Sequence, residues 1–348
     1  MFRVGVVGYG MAGAQFHVPM ARAAGFEVAA VLTRDPGRAA QVAADLPAAR
    51  VVPDLAALVA SPGLDLVVVA SPSGLHVEHA RVAVRAGVPV VVDKPLAVDA
   101  RSAASLVEEA RARGVPLTVF QNRRYDPEFV TLVGVVGSGV LGTVRAAEFR
   151  WERWRPEPRS GWRERLPATE GGGLLLDLGT HLVDQAVVLF GPVASVYAQV
   201  RSVLAVAEDH AFLSLRHEGG LVTHVTMSSV AGAPGPRTRI SGSRAAYLLG
   251  SAGGESTAFP DANGPAGQHG WLVRDTQREP VPARAGDPVD FYRAVAAALA
   301  GPNPQTAMPV VPADAVHVLA VIDGARVSAR EQRVVDISTP GAEPGRRV

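Results

Sequence analysis

Between residues 3 and 120 short valine-rich runs alternate with stretches of helical periodicity, and no other feature constrains the fold as much. The runs are Arg3 to Val7, Glu27 to Leu32, Leu66 to Ala70, Pro89 to Val92 and Pro116 to Phe120. Helical patterns separate them at Met11 to Ala24, Pro36 to Ala44, Gly74 to Arg85 and Ala100 to Arg113. Strands apolar on both faces need cover on both sides, and connecting helices supply it. The pattern predicts a doubly wound, Rossmann-type parallel sheet (α/β).

After about Tyr125 longer alternating runs take over, at Thr143 to Trp151, Val193 to Leu204, His210 to His217 and Leu221 to Val230, with one long helix at Gly173 to Phe190. Few helices interrupt them, so an antiparallel sheet with a helix on one face is expected (α+β). The 348 residues suffice for two such domains, placed at 1–122 and 123–348. The Gly- and Pro-rich segment 250–288 reads as a long loop holding at most one short strand. A last helix at Pro312 to Arg330 precedes a tail at Thr339 to Val348 expected to fray.

Composition excludes several classes of function. Net charge is +1 and the arginines are scattered, so no basic stripe points to nucleic acid or an anionic membrane. No stretch reaches the ~20 uninterrupted apolar residues of a membrane helix. Without cysteine there is neither a disulfide framework nor a thiolate metal site, which fits a reducing compartment; a cytoplasmic protein without a targeting segment is expected. The abundance of Ala, Arg, Gly, Pro and Val follows from GC-rich coding, so alanine-rich stretches carry little structural weight.

Gly8-Tyr9-Gly10-Met11-Ala12-Gly13 follows the first strand and opens the first helix. Glycines there allow a tight turn, close approach of backbone to a pyrophosphate and close helix–strand packing, while the helix N-terminus attracts phosphate. Gly8, Gly10, Met11, Ala12 and Gly13 are therefore expected to hold a dinucleotide, the alternative being a purely structural glycine turn. About twenty residues on, where a NAD site carries an acid for the ribose 2′-hydroxyl, stands Thr33, followed by Arg34 and Asp35. Thr33, Arg34 and Arg38 suit the 2′-phosphate of NADP; a one-residue shift would instead bring Asp35 to the ribose of NAD. NADP is the expected cofactor, with NAD open. Ser71-Pro72-Ser73-Gly74-Leu75-His76 lies at the carboxyl edge of the sheet, where Ser71 and Pro72 would wall a nicotinamide. His76 either reaches a ribose hydroxyl or binds backbone at its helix N-terminus.

One lysine, Lys94, stands beside thirty-three arginines, and it ends the strand Val88 to Asp93. Arginine stays charged, whereas a lysine amine in a crevice can give up and regain a proton; codon bias that left one lysine by chance is the alternative. A second constellation is the run Gly171 to Gln185. Asp177 and His181 are four apart, on one helical face, and Asp184 continues the stripe. Taken alone the stripe reads as a solvated face. The triple glycine before it signals a close approach of backbone to a ligand or partner chain, and a histidine beside a carboxylate can serve as general base. No further His or Cys cluster accompanies it, so a metal is not expected. At the expected domain junction Asn122 could orient a substrate hydroxyl, and Arg123 could join it or serve an interface. Trp151, Trp154 and Trp162, gathered near arginines, could line a sugar-binding wall or fasten two subunits.

The motifs GYGMAG, SPSGLH, VVVDKP and GGGLLLDLGTHLVDQ, in this order over nearly the whole chain, resemble the glucose-fructose oxidoreductase / inositol dehydrogenase (Gfo/Idh/MocA) family. Where that family commonly has Glu-Lys-Pro this chain has Asp93-Lys94-Pro95. The resemblance implies an N-terminal Rossmann domain, a C-terminal open antiparallel sheet that makes homodimers or homotetramers, and a catalytic set of Lys94, Asp177 and His181. It also implies that His181 exchanges the substrate hydroxyl proton while Lys94 polarises that oxygen, and that Asp177 orients the histidine or a second hydroxyl. The segments QNRRYD, WERWRPE and RSGWRE look most like the branch of NADP-dependent scyllo-inositol dehydrogenases. The expected reaction is reversible oxidation of a secondary alcohol in a cyclitol or sugar. Alternatives are a dihydrodiol or tetrapyrrole substrate, a cofactor-sensing protein without turnover, and a cofactor-dependent glycosidase.

Overall fold

A computed structural model describes every residue except 159, 252–256, 259–261 and 341–348. Parts of the 250–288 segment and most of the expected frayed tail thus lie outside the described residues. Contacts divide the chain into two units, residues 1–122 with 288–316, and residues 123–287 with 317–348.

The first unit is built on six parallel strands: β1 (Arg3–Val7), β2 (Glu27–Leu32), β3 (Arg50–Val52), β4 (Leu66–Val69), β5 (Val90–Asp93) and β6 (Leu117–Phe120). Their order is β3-β2-β1-β4-β5-β6, every neighbouring pair parallel. Winding reverses between β1 and β4, and in such sheets ligands bind outside the carboxyl ends of the strands at that reversal. Residues 66–69 and 90–92 are wholly buried, as strands covered on both faces require. Asp35, Asp54 and Asp99 each cap a following helix by accepting a backbone N–H three residues on.

Two features of this unit differ from the sequence reading. Strand β3 and the helix Leu55–Val59 were not anticipated, because three residues carry no measurable period. More consequentially, residues 288–316 do not belong to the second domain. The helix Asp290–Ala300 buries Phe291, Tyr292 and Val295 completely. Ring centroids of Phe291 and Tyr292 lie 5.0 and 5.8 Å from that of Phe120, and the Thr118 hydroxyl donates to the Val310 carbonyl at 2.9 Å.

Among the described residues the second unit carries nine strands: β7 (Val144–Glu152), β8 (Val193–Arg201), β9 (His210–His217), β10 (Val222–Ser228), β11 (Thr238–Gly242), β12 (Ala246–Leu249), β13 (Gln268–Arg274), β14 (Gln277–Pro282) and β15 (Val335–Asp336). Their order is β14-β13-β12-β11-β7-β10-β9-β8-β15. All pairs are antiparallel but one: β7 and β10 run parallel, so the expected antiparallel sheet is mixed. The Gly- and Pro-rich segment holds the β13–β14 hairpin, whose tight turn places Asp275 at φ 53°. Alternation divides the faces cleanly. Across the strands Leu272, Tyr247, Ile240, Ala147, Thr223, Leu215 and Val196 form one buried row. The helix Thr180–Phe190 belongs to this covered side, with every residue from Thr180 to Ala186 buried. On the opposite face the register aligns Trp271, Leu248, Arg239, Glu148, His224, Ser214 and Tyr197, all at least partly exposed.

Phe291→Ala is expected to lower unfolding free energy by about 3–5 kcal/mol, read from the denaturant midpoint of the intact chain. An unchanged midpoint would mean that the 288–316 segment does not contribute to the first unit's core.

Candidate active site

In the first unit the polar residues gather at the carboxyl edge of β1, β4 and β5. Gly8 turns the chain at φ 97°, its N–H donating to the Leu32 carbonyl at 3.0 Å. A Cβ there would sit 2.8 Å from the Ala70 carbonyl oxygen, and one on Gly13 would fall on the carbonyl oxygen of Gly8. Only glycine fits at both points. A π-type turn, Gly13–His17, follows and leads into the helix Val18–Ala23. Met11 is exposed and Ala12 half-buried at the lip of the turn. These residues form the backbone cradle that a dinucleotide pyrophosphate needs.

At the end of β2 Thr33 is buried, and its hydroxyl accepts the Asp35 N–H at 3.3 Å. The carboxylate of Asp35 accepts the Arg38 N–H at 2.8 Å as a helix cap, which commits it locally. The Arg38 guanidinium lies beside the glycine turn, 3.9 Å from where a Gly10 Cβ would stand. Arg34 is exposed and turns its Nε toward the Pro53 carbonyl at 3.5 Å, too long for a strong hydrogen bond.

After β4, Ser71 is half-buried and Pro72 exposed. His76 is almost fully buried, with Nδ1 2.7 Å from the Pro95 carbonyl and Nε2 2.8 Å from the Ser71 carbonyl. Two carbonyl partners favour an imidazolium, but complete burial pushes the pKa down more than Asp93 and the carbonyls push it up. With both nitrogens so placed, His76 does not reach for a ribose hydroxyl. It ties the Ser71 turn to the Lys94-Pro95 turn, the second of its two sequence readings.

Lys94 emerges half-buried at the end of β5, and its peptide bond to Pro95 is cis. Behind it Asp93 is buried; its Oδ1 accepts the Lys94 N–H at 2.8 Å and lies 3.5 Å from His17 Nε2. Burial alone would raise the Asp93 pKa, yet His17, Lys94 and His76 together hold it below the usual carboxylate range.

Asp177 and His181 belong to the second unit. The expected unbroken helix instead opens with a π-type turn, Leu175–Gly179, before the helix Thr180–Phe190. The glycines before it have definite roles. Gly171 and Gly173 both take φ 94°. A Cβ on Gly172 would collide with the Leu166 carbonyl, and one on Gly173 with the Glu208 carboxylate. The stripe is not a solvated face: Asp177 is half-buried, while His181 and Asp184 are buried. Asp184 receives a two-pronged pair from Arg124, at 2.6 and 2.8 Å, and so serves structure. Asp177 lies 3.2 Å from Arg163 Nε, and the Arg163 guanidinium stacks 4.4 Å from the Trp162 ring. Trp162 is thus one contact removed from Asp177. Trp154 is 58% exposed and joins only an isolated bridge to Val230.

The aromatic residue beside His181 is Trp151, ring centroids 5.8 Å apart, with the guanidinium carbons of Arg123 and Arg237 at 4.4 and 4.2 Å from its centroid. Trp151 is the member of the tryptophan cluster that β7 alternation puts on the buried face, with Ala147 and Phe149. Arg123 also pairs with Asp126 at 2.7 Å. Asn122 begins a short 3-10 turn, Asn122–Tyr125, and is half-buried. A recess is lined in part by Arg155, Arg163, Asp177, Glu208, Asp209 and Ser229. Among the described residues no cluster of three His, Asp or Glu could hold a metal, and no helix is long and apolar enough to cross a membrane.

The description "oxidoreductase family, NAD-binding Rossmann fold" of the Gfo/Idh/MocA family fits residues 2–121, and its C-terminal domain fits residues 129–248. The chain belongs to the Gfo/Idh/MocA oxidoreductase family. It is 30% identical to the scyllo-inositol 2-dehydrogenase (NADP(+)) of Bacillus subtilis over 96% of this chain and 95% of that protein. Inositol 2-dehydrogenase 2 of Saccharopolyspora erythraea is 35% identical over 66% of this chain and 67% of that protein. Among solved structures, yvaA of Bacillus subtilis superposes with a TM-score of 0.85 at 29% identity, covering 97% of this chain and 99% of that one. The first unit is accordingly a nicotinamide dinucleotide-binding Rossmann domain, and the glycine cradle fits that cofactor.

Proposed function

We propose that this chain is an NADP-preferring dehydrogenase that interconverts a secondary alcohol and a ketone on a cyclitol or sugar, acting in the cytoplasm as a homodimer or homotetramer. The observation that carries the reading is Lys94, the sole lysine, at the carboxyl end of β5 beside the switch point of a cofactor-binding sheet. Relatives named as inositol dehydrogenases support the substrate class. A bound nicotinamide supplies the hydride acceptor or donor. Lys94 holds the reacting oxygen, His181 takes or returns its proton, and Asp177, anchored by Arg163, orients the histidine or a neighbouring hydroxyl. Carboxylates and guanidiniums interleave around the Asp177 recess, offering acceptors and donors to a neutral, hydroxyl-rich molecule. Asn122, Arg123 and Trp162 are assigned to substrate binding, whereas the exposure of Trp154 suits a subunit contact better.

Thr33 and Arg38 support NADP, because Asp35 is already engaged as a helix cap. Oligomerisation is supported by the partly exposed row from Trp271 to Tyr197, an open sheet face bearing aromatic side chains. A sensor without turnover would require the glycines but not Lys94, Asp177 and His181 together.

Turnover on a panel of inositols and sugars with NADP tests the reading. Lys94→Ala should lower kcat at least about 100-fold while leaving NADPH affinity within about twofold, and Lys94→Arg should fail similarly; near-normal turnover in either would remove the lysine from the chemistry. Arg38→Ala should raise KM for NADP about tenfold or more without affecting NAD, a loss of roughly 1.4 kcal/mol of phosphate binding; equal changes for both cofactors would contradict the assignment. Light scattering should return a dimer or tetramer that Trp271→Glu weakens, and a wild-type monomer would reject the sheet contact.

A further inference from the structure

Lys94 is backed by a buried polar chain that the proposed chemistry has not used. His17 is fully buried, its ring 4.1 Å from that of Phe120. Its Nδ1 lies 2.6 Å from the Tyr292 hydroxyl and its Nε2 3.5 Å from Asp93 Oδ1. Burial and the Asp93 charge push the Tyr292 pKa well above its usual value, so the phenol keeps its hydrogen beside Nδ1. A hydrogen on Nε2 faces Asp93 across 3.5 Å. The same Asp93 oxygen accepts the Lys94 backbone N–H at 2.8 Å. The chain therefore runs Tyr292 to His17 to Asp93 to the root of Lys94, within one unit and among Phe26, Phe120 and Phe291.

We propose that His17 and Tyr292 are positioning residues whose function is to hold Asp93 as a carboxylate against the root of Lys94. A carboxylate at this depth is costly to ionise without partners. The charged or titratable groups that face it are His17, Tyr292 and His76 from three different helices, and Lys94 from its own strand. His76 spends its nitrogens on the Pro95 and Ser71 carbonyls, whereas His17 turns Nε2 toward the carboxylate at 3.5 Å and gives that nitrogen no other hydrogen-bond partner among the described residues. In His17→Phe the packing on Phe120 survives but that nitrogen is gone, so desolvation of Asp93 is opposed by less and its protonation moves to higher pH. The negative charge beside Lys94 is then present only above that higher pH. The assignment concerns the lysine that the dehydrogenase reading makes catalytic, and so rests on that reading for its functional meaning but not for its test.

A chain with one lysine permits a direct readout. Reductive ¹³C-methylation of the whole protein labels Lys94 and the N-terminal amine alone, and the Lys94 signal senses the charge state of Asp93. In the wild type no inflection is expected at or above the ordinary aspartate pKa of ~3.9. In His17→Phe one should appear higher by about one pH unit or more, and His17→Gln, which retains an N–H donor, should restore most of the wild-type behaviour. Tyr292→Phe should give an intermediate shift, and it carries the test should His17→Phe not fold, as judged by NADPH binding. With a turned-over polyol, the acid limb of the kcat–pH profile should move upward in His17→Phe in parallel, with KM for NADP unchanged. Superimposable Lys94 titrations in all variants would overturn the proposal. Shifted titrations in a protein that turns over no polyol would uphold it while removing the dehydrogenase reading.

Discussion

Strands β1, β4 and β5 are sealed on both faces by apolar side chains, so polar chemistry can leave them only at their carboxyl ends. That constraint organises the first unit. Gly8, Ser71 and Lys94 follow β1, β4 and β5, and the reversal of winding between β1 and β4 clears space above them. Glycine at positions 8 and 13 is required because backbone already occupies the places where a Cβ would stand. His76 then links two of the turns from below, its nitrogens on the Ser71 and Pro95 carbonyls. The same burial that seals the strands makes the Asp93 carboxylate expensive, and the His17–Tyr292 chain answers that expense.

The second unit solves a different problem. Its sheet is covered on one face only, and the helix Thr180–Phe190 is buried along nearly all of its first two turns. An ionised Asp184 would be prohibitive there without Arg124, whose fork satisfies both carboxylate oxygens. Asp177, in the preceding π-type turn, stays half-exposed and pairs with Arg163, while His181 settles against Trp151. One four-residue spacing thus yields a reachable carboxylate and a buried imidazole, an inequality that helical periodicity alone cannot express.

The doubly wound sheet was legible because both-face valine runs have few other uses, and β9 matches its expected span residue for residue. Strand direction was not legible: alternation marks which side chains share a face but is blind to whether neighbours run parallel, so the β7–β10 pair came as a departure. The helix Asp290–Ala300 was missed through discounting alanine, although Phe291, Val295 and Ala298 carry the correct spacing. The glycine cradle could be read from the motif because the steric demand lies in the backbone itself. The role of Asp35 could not, since a helix cap exists only once the turn is folded, and for His76 a backbone partner was foreseeable but not the two distant carbonyls it bridges. Trp151, Trp154 and Trp162 stood out together by their arginine neighbours, and β7 alternation marks Trp151 as the buried one of them.

The central claim is that the one lysine of this chain serves a bound nicotinamide cofactor. A crystal structure of the NADP complex tests it most directly. The account predicts the pyrophosphate on the Gly8–Gly13 turn, the 2′-phosphate against Arg38 and Thr33, and the nicotinamide ring within reach of the Lys94 amine. A nicotinamide bound elsewhere, with that amine directed into bulk solvent, would contradict it.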